Sequence, residues 1–282
     1  MQHLRFLLKV SRPRFWMYTL GPYLIGLIAG VSSQNELNDL SYLALAIYFV
    51  YPANLLIYGV NDIYDYETDR LNTKKIGYEN LVEYDRHAEI WIAIVFSSVG
   101  FVGELFFSNA AATFASFAFV LLAVFYSAPP IRAKTKPFLD SAFNVLYVAP
   151  GLFAYSLVTG EFPPSKVIIA AACWTAAMHA YSAIPDIAAD KQAGLKTIAT
   201  VCGPLWTLAI CAGLYAASAI LSSEYLGFVS VSLGFAYVFL MLASVRSYRT
   251  GRLFKLYKAF PLINIAAGFV IFWHIALEKF FN

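Results

Sequence analysis

An acidic motif begins at Asn61, directly after the second long apolar run of the sequence. Asn61, Asp65 and Asp69 are spaced four residues apart, and Asp62 precedes Asp69 by seven residues. In a continuing helix these side chains share one broad face. The negative end of the helix dipole and mutual repulsion both disfavour carboxylates there, and a bound cation relieves both. All-oxygen donors favour Mg²⁺, which commonly shares substrate phosphates. The alternative is a solvated acidic loop.

A second pair of carboxylates, Asp186 and Asp190, lies four residues apart near the end of the sixth apolar run. We expect Pro185 to kink or restart the helix just before the pair. This spacing is common by chance. The evidence for a functional pair is that the loop charges place both acidic sets on one side of the membrane. Two such sets suit several Mg²⁺ ions that clamp a diphosphate. The predicted metal ligands are Asn61, Asp62, Asp65, Asp69, Asp186 and Asp190.

A basic element follows the fourth apolar run. Pro129 and Pro130 should stop the helix and impose an extended turn, from which Arg132 and Lys134 project on the same side. These two cations could hold a diphosphate and stabilise it as it leaves. Ordinary basic residues at the inner end of a membrane helix explain the same pattern, and the residues alone leave both explanations open.

Several single residues are further candidates for contact with a substrate. Tyr58, one turn before Asp62, and Tyr126 could shield a carbocation through their ring faces. Asn54 lies on the same helix face as the start of the acidic motif, two turns deeper. His179 lies seven residues before the second pair and could be a base, an orienting residue or an interhelical hydrogen-bonding residue, of which we favour the last.

Composition indicates which elements position these residues. The chain has 282 residues, 60% of them hydrophobic and only 13% charged, whereas soluble domains carry about 25% charged residues. The net charge of +3 is spread along the chain, so nucleic acid is not an expected partner. The three cysteines show neither metal-ligand spacing nor a disulfide framework. We predict an all-α integral membrane bundle in a lipid bilayer, formed by one domain over residues 1–282; nothing in the sequence indicates its oligomeric state.

Apolar runs and loop charges define the predicted topology. Bilayer spans need about 20 residues each. With the N-terminus in the cytoplasm, all of the 20 basic residues except Lys166 and Lys279 fall on the inner side. We therefore predict a multi-pass protein of the cell membrane. Its nine predicted spans are 14–32, 41–61, 88–107, 110–125, 139–159, 167–184, 199–221, 224–245 and 257–278.

Two other classes of membrane protein compete with an enzyme. An ion-coupled transporter usually holds its acidic residues near mid-membrane, whereas these acids cluster at one face beside proline-braced cations. A scaffold without catalysis gives no reason to keep two sets of carboxylates. An Mg²⁺-dependent enzyme acting on a diphosphate accounts for both features.

Taken together in this order, the three motifs resemble those of the UbiA-type intramembrane prenyltransferases. The resemblance covers nearly the whole chain and implies a helical bundle with a central cavity open to the cytoplasmic side. It implies that the six motif residues bind the Mg²⁺-diphosphate. From the mechanism that these residues suggest, we expect Asp65 and Asp186 to be catalytic, so that replacing either one abolishes turnover. Lys134, together with Arg132 and Lys191, would contact the diphosphate. An allylic prenyl diphosphate would ionise, and a lipophilic acceptor would attack the cation.

Short segments indicate a branch of this family. Stretches 11–16, 136–141 and 181–186 are similar to the lycopene elongase branch, which adds a five-carbon unit to the end of a carotenoid chain. Quinone-type members often follow the first motif with a basic stretch that contains proline, but here 70–75 has no proline. We expect lycopene or a related carotenoid as acceptor, with a quinone precursor or another ring as the alternative.

Overall fold

Every regular element in the described ranges is a helix. The structure, a computed structural model, describes residues 2–70, 81–106 and 108–281. Most of the stretch 70–75 lies outside these ranges, so its comparison with quinone-type sequences remains a comparison of sequence. In chain order the α-helices are α1 Gln2–Val10, α2 Met17–Gly30, α3 Leu40–Val50, α4 Pro52–Tyr64, α5 Tyr66–Asp69, α6 His87–Leu105, α7 Ala110–Ser127, α8 Leu139–Ala142, α9 Ala149–Thr159, α10 Ser165–Ala183, α11 Ile187–Gln192, α12 Ile198–Arg249 and α13 Leu253–Phe281.

The helices confirm an all-α, multi-pass membrane protein, but they do not confirm the predicted count of nine spans. In the described ranges six helices are long and apolar enough to cross a bilayer, or seven if Leu139–Tyr147 and Ala149–Thr159 form one broken span. Helix α2 has only 14 residues. The predicted spans 199–221 and 224–245 both fall in α12, a run of 52 residues whose helical geometry is interrupted at Gly227, with φ 49°.

The helix ends follow local chemistry. The Asp39 carboxylate accepts a bond from Ser41 N at 2.8 Å and so caps α3, and Asn109 caps α7 through Ala112 N at 2.9 Å. Pro52 occupies the start of α4, where its missing N–H costs nothing. These signals were readable from the sequence because each is confined to a few neighbouring residues.

The chain divides into two compact units, and the first comprises residues 1–132 and 149–161. In this unit α2 packs along α9, and α4 packs against α1, α6 and α7. Gly26 and Gly151 let α2 and α9 approach closely, because a Cβ atom on Gly26 would overlap the Gly151 carbonyl. Phe49 lies at the centre of an aromatic cluster, 5.0–5.9 Å between ring centroids from Tyr23, Phe101, Phe119 and Phe153.

The second unit comprises residues 133–148 and 162–282. Helix α10 packs along α12, and α12 contacts α13. Hydrogen bonds join these apolar helices: Ser244 Oγ donates to the Tyr181 hydroxyl at 3.2 Å, and the Tyr237 hydroxyl donates to Asn264 Oδ1 at 2.8 Å. Our expectation of one membrane domain over residues 1–282 remains a prediction.

Candidate active site

The first acidic motif lies at the end of α4 and is buried. Helix α4 stops at Tyr64, and α5 begins after Asp65, whose φ is −108°. Two backbone bonds keep the helical spacing across this step: Asp65 N to Asn61 O at 3.0 Å and Asp69 N to Asp65 O at 2.8 Å. The exposed fraction is 4% for Asp62, 0% for Asp65 and 9% for Asp69. A solvated acidic loop is therefore the wrong interpretation, and buried carboxylates require counter-charge.

Arg12 supplies counter-charge at Asp62. Its Nη2 atom lies 2.6 Å from Asp62 Oδ1 and donates a longer bond of 3.4 Å to Asn61 Oδ1. The guanidinium also lies over the Tyr58 ring, with Cζ 4.6 Å from the centroid. Our prediction of site residues omitted Arg12. The available signal was its position beside Pro13 in the stretch 11–16.

Arg132 lies beside Asp65 in the same unit. Arg132 Nη2 is 3.6 Å from Asp65 Oδ1 and donates to the Tyr64 carbonyl at 3.2 Å. The other carboxylate oxygen, Oδ2, accepts a bond of 2.5 Å from Asn61 Nδ2, which also donates to Ser127 Oγ at 3.0 Å. Arg132, the first cation of the basic element, therefore contacts the first acidic motif.

Both arginines have left-handed backbone conformations. The φ angle is 51° at Arg12 and 45° at Arg132, a region that costs a residue with a side chain about 1–2 kcal/mol. Such conformations persist where the surrounding structure enforces them, and they concentrate at functional sites. The extended segment that we predicted to carry Arg132 and Lys134 is wrong, because the left-handed residue is followed by a 3₁₀ turn, Ala133–Thr135.

The motif fits a hard cation by the type of its donors. Among the described residues, no three His, Cys, Asp or Glu side chains are grouped closely enough to hold a metal ion. Instead, the Asp62 and Asp65 carboxylates face Arg12 and Arg132. Carboxylate and amide oxygens are nevertheless the donors that Mg²⁺ takes in proteins. A bound cation and the two guanidiniums would share the same carboxylates.

The second acidic motif belongs to the second unit. Helix α10 ends at Ala183, and Pro185 begins the 3₁₀ turn Ile184–Asp186, which confirms the predicted break. Asp190 lies in the first turn of α11, and its Oδ2 atom is 3.4 Å from Thr197 Oγ1. Asp186 and Asp190 are both half-buried.

Thr197 begins α12. Its hydroxyl accepts a bond from Thr200 N at 3.3 Å, and its own N–H donates to Thr200 Oγ1 at 2.8 Å. This reciprocal pair is a capping box. The second acidic motif is thus in contact with the residue that caps the next helix.

The predicted diphosphate contacts on the second unit differ in exposure. Lys134 lies in the 3₁₀ turn after Arg132 and is half-buried. Lys191 follows Asp190 in α11 and is exposed. Both remain predictions as diphosphate contacts.

The three predicted substrate contacts of the first unit have different surroundings. Tyr58 is 7% exposed and packs under Arg12. Tyr126 is half-buried near the end of α7. Asn54 is fully buried, and its amide nitrogen donates to Thr19 Oγ1 at 2.7 Å and to the carbonyls of Phe49 and Val50 at 3.0 and 2.9 Å. The fold uses that nitrogen to hold the junction of α3 and α4, so only Oδ1 is left for a substrate.

Comparison with known proteins agrees with these observations. The model of the UbiA prenyltransferase family matches residues 19–275. A lycopene elongase/hydratase from Halobacterium salinarum is 38% identical over 270 residues, which cover 94% of this chain and 95% of the relative. A protein with the same name from Haloferax volcanii is 41% identical over 222 residues, 76% of this chain and 71% of the relative.

A solved structure shares the fold. The UbiA homologue from Archaeoglobus fulgidus bound to DMAPP and Mg²⁺ has a TM-score of 0.64 and 21% sequence identity. The match covers 95% of this chain and 99% of the homologue. At this identity the likeness concerns the fold alone.

Proposed function

The chain belongs to the UbiA prenyltransferase family, and we propose that it transfers a five-carbon prenyl group from dimethylallyl diphosphate to lycopene or a related carotenoid. The observation that carries this proposal is the buried first motif. Its Asp62 and Asp65 carboxylates are buried away from solvent, and an arginine lies beside each of them. A cluster of oxygen donors next to guanidiniums is suited to a cation bound together with an anion.

Each set of residues has a distinct role in the proposed reaction. The predicted metal ligands Asn61, Asp62, Asp65, Asp69, Asp186 and Asp190 hold Mg²⁺ on the diphosphate. When bound, Mg²⁺ neutralises the negative charge that develops on the leaving diphosphate. Arg132, Lys134 and Lys191 donate charge-assisted hydrogen bonds to the same leaving group.

Aromatic side chains protect the allylic cation after the diphosphate leaves. We propose that the ring faces of Tyr58 and Tyr126 attract the cation and exclude water from it. The acceptor's terminal double bond then attacks C1 of the five-carbon unit. Support for a carotenoid acceptor comes from the relatives named above and from the apolar composition of the chain, since a long hydrocarbon needs apolar walls.

The proposed orientation puts the N-terminus in the cytoplasm. Support comes from the basic residues, all but two of which then lie on the inner side. This topology places both acidic sets at the cytoplasmic face, where soluble dimethylallyl diphosphate is available. Protease or thiol-label accessibility of an added N-terminal tag in sealed vesicles measures the orientation directly.

Product analysis tests the reaction. We would incubate the purified protein in lipid with dimethylallyl diphosphate and lycopene, with Mg²⁺ or with EDTA, and identify products by mass spectrometry. The expected result is a five-carbon increment on lycopene that EDTA abolishes. Prenylation of a hydroxybenzoate or naphthoate instead of lycopene would move the acceptor to the ring alternative. No transfer to any acceptor would refute the proposal.

Substitutions in the two motifs test the assigned ligands. Asp65→Asn and Asp186→Asn keep the side-chain size but remove a charge. Each should lower turnover at least about 100-fold, because even the loss of a residue that only hydrogen-bonds to a metal ligand lowers activity 10–100-fold. Asp85→Asn is the matched control, since Asp85 is an exposed acid in the 3₁₀ turn Tyr84–Arg86, outside both motifs. Substantial activity in an Asp65/Asp186 double variant would contradict these assignments.

A further inference from the structure

Helix α1 is amphipathic, and the proposed reaction gives it no role. Arg5 and Lys9 are four residues apart, so they share one face of the helix, and both are exposed. Leu4 and Leu8 form an adjoining edge, where Leu4 is 60% exposed. A helix with basic residues on one face and exposed leucines beside them is typical of a segment that lies in the plane of the membrane interface.

Packing places α1 at the end of α4 that carries the first acidic motif. A Cβ atom on Gly59 would lie 3.8 Å from Val10 Cγ1 and 2.7 Å from Ile90 Cγ2, so these two side chains pack against the α4 backbone. Gly59 precedes Asp62 by three residues, a rise of about 4.5 Å along a helix. Ile90 lies in the first turn of α6. Helix α1 therefore lies near the ends of two helices of the first unit, not beside their middles.

Polar contacts hold α1 on the start of α6. His3 Nδ1 lies 2.9 Å from Glu89 Oε1. Arg86 Nη2 donates to Glu89 Oε2 at 2.7 Å, and Arg86 Cζ lies 3.3 Å from the centroid of the Phe6 ring. The Glu89 carboxylate is thus matched by a neighbouring cation, so it does not oppose an anion that approaches α1.

An open groove of about 540 Å³ lies between α1 and α6. Its walls are His3 and Leu7 from α1, and Glu89, Ile92, Ala93 and Phe96 from α6. Ile92 and Phe96 are 58% and 76% exposed, and α6 belongs to a helix that is long and apolar enough to cross a bilayer. The groove is therefore continuous with a surface that bilayer hydrocarbon covers. The hydrocarbon chain of a membrane lipid can enter it without leaving the bilayer.

We propose that α1 and α6 form a docking site for an anionic phospholipid. One hydrocarbon chain of the lipid lies in the groove, and the phosphate lies at the level of α1, where Arg5 and Lys9 face the headgroup layer. Long basic side chains can extend towards phosphates at this depth, and anionic headgroups attract basic residues near the membrane surface. A zwitterionic lipid fills the same groove but gains less from the two cations. This inference does not depend on the proposed prenyl transfer.

The lipid site is connected to the first acidic motif through the backbone. Ser11 N donates to Leu7 O at 3.0 Å. Arg12 N donates to Lys9 O at 3.1 Å. Hydrogen bonds therefore continue from α1 as far as Arg12, whose guanidinium faces Asp62. A lipid that holds α1 in place also holds Arg12 in place.

Native mass spectrometry measures the headgroup preference. The full chain in detergent is equilibrated with equal amounts of phosphatidylglycerol and phosphatidylcholine that carry the same chains, and the ratio of the two single-lipid adducts is measured. The phosphatidylglycerol adduct should predominate in the wild-type protein. The double variant Arg5→Gln, Lys9→Gln should lower the ratio by up to about 30-fold, because each basic residue near an anionic surface contributes about a factor of five.

Matched controls separate the cations from the groove. The double variant Arg249→Gln, Arg252→Gln removes two exposed cations of the second unit and should leave the ratio unchanged. Ala93→Trp fills the groove and should lower both adducts together, without changing their ratio. Ala44→Trp makes the same change at an exposed position of α3 and should lower neither adduct.

Hydrogen–deuterium exchange gives a second measurement. Phosphatidylglycerol should slow exchange at the amides of Ser11 and Arg12 in the wild-type protein and have no such effect in the Arg5/Lys9 variant. If Ala93→Trp does not fold, this measurement and the Arg5/Lys9 variant decide the question.

Four results would overturn the proposed site. They are equal adducts of the two lipids in the wild-type protein, an equal loss of preference in the Arg249/Arg252 variant, and exchange at Ser11 and Arg12 that phosphatidylglycerol does not change. The fourth is a dimer that Ala93→Trp dissociates, which would show that a second copy of the chain occupies the groove.

Discussion

Replacement of Arg12 by alanine tests how the first acidic motif is neutralised. The Arg12–Asp62 ion pair joins atoms 2.6 Å apart, with side-chain exposures of 14% and 4%. Arg12→Ala leaves the Asp62 carboxylate buried without this cation. Removing one partner of a buried ion pair typically costs about 3–5 kcal/mol, because the remaining charge stays in a medium of low dielectric constant.

The structure also predicts a difference between two replacements. Arg12 has φ 51°, a conformation that alanine tolerates poorly and glycine tolerates well. Arg12→Gly loses the same ion pair but relieves the left-handed backbone, so it should destabilise the protein by about 1–2 kcal/mol less than Arg12→Ala. At about 2–4 °C per kcal/mol, the alanine variant should unfold about 6–20 °C below wild type.

Thermal unfolding in detergent, followed by tryptophan fluorescence, measures these shifts. Lys166→Ala is the matched control: the Lys166–Glu224 pair is also 2.6 Å long, but its side chains are 58% and 59% exposed, so solvent screens it and its loss should barely move Tm. Equal Tm losses for Arg12→Ala and Lys166→Ala would refute the argument that burial makes the Arg12 pair important. Equal Tm values for the alanine and glycine variants would refute the backbone argument.

Two further substitutions test the helix packing of the first unit and the role of Lys134. Gly26→Ala should destabilise the protein by about 1–3 kcal/mol or more, since its Cβ would overlap the Gly151 carbonyl, whereas Gly21→Ala meets no atom within 4 Å and should be neutral in the same unfolding assay. Lys134→Met should lower kcat/KM about 10- to 150-fold, equivalent to a charge-assisted hydrogen bond of about 1.5–3 kcal/mol. Lys136→Met, at an exposed position two residues later, should leave kcat/KM near the wild-type value; equal losses would argue against a specific role for Lys134.

The features predicted correctly from the sequence are local ones. The break at Pro185 depends on the geometry of proline and its preceding turn, and the structure has a 3₁₀ turn there. The helical spacing of Asn61 and Asp65 likewise follows from neighbours along one chain segment. The all-helical fold follows from the long apolar runs. Inside a bilayer, an apolar run that is a single helix satisfies all of its backbone hydrogen bonds within itself.

The features missed depend on contacts between distant segments. Arg12 is 50 residues from Asp62 in sequence, and nothing in the pattern around either residue pairs them. Asp140 was missed because a single acidic residue shortly after a proline is typical of a surface turn. Its burial depends on a distant contact, the bond that Ile198 N–H donates to its carboxylate. The extended turn at Arg132 failed because backbone conformation there is determined by tertiary contacts that propensity does not include.

The first turn of α12 is a small element with its own stability. It runs from the Thr197 cap to Gly203, where φ 74° interrupts the helix before Pro204. Its amides are thus held by one capping box and by the Asp140 carboxylate, and its cap also contacts Asp190. Local opening of such a turn is independent of global unfolding. Hydrogen–deuterium exchange at residues 199–201 will therefore report when Asp190 is engaged by a ligand, with no label placed in the site.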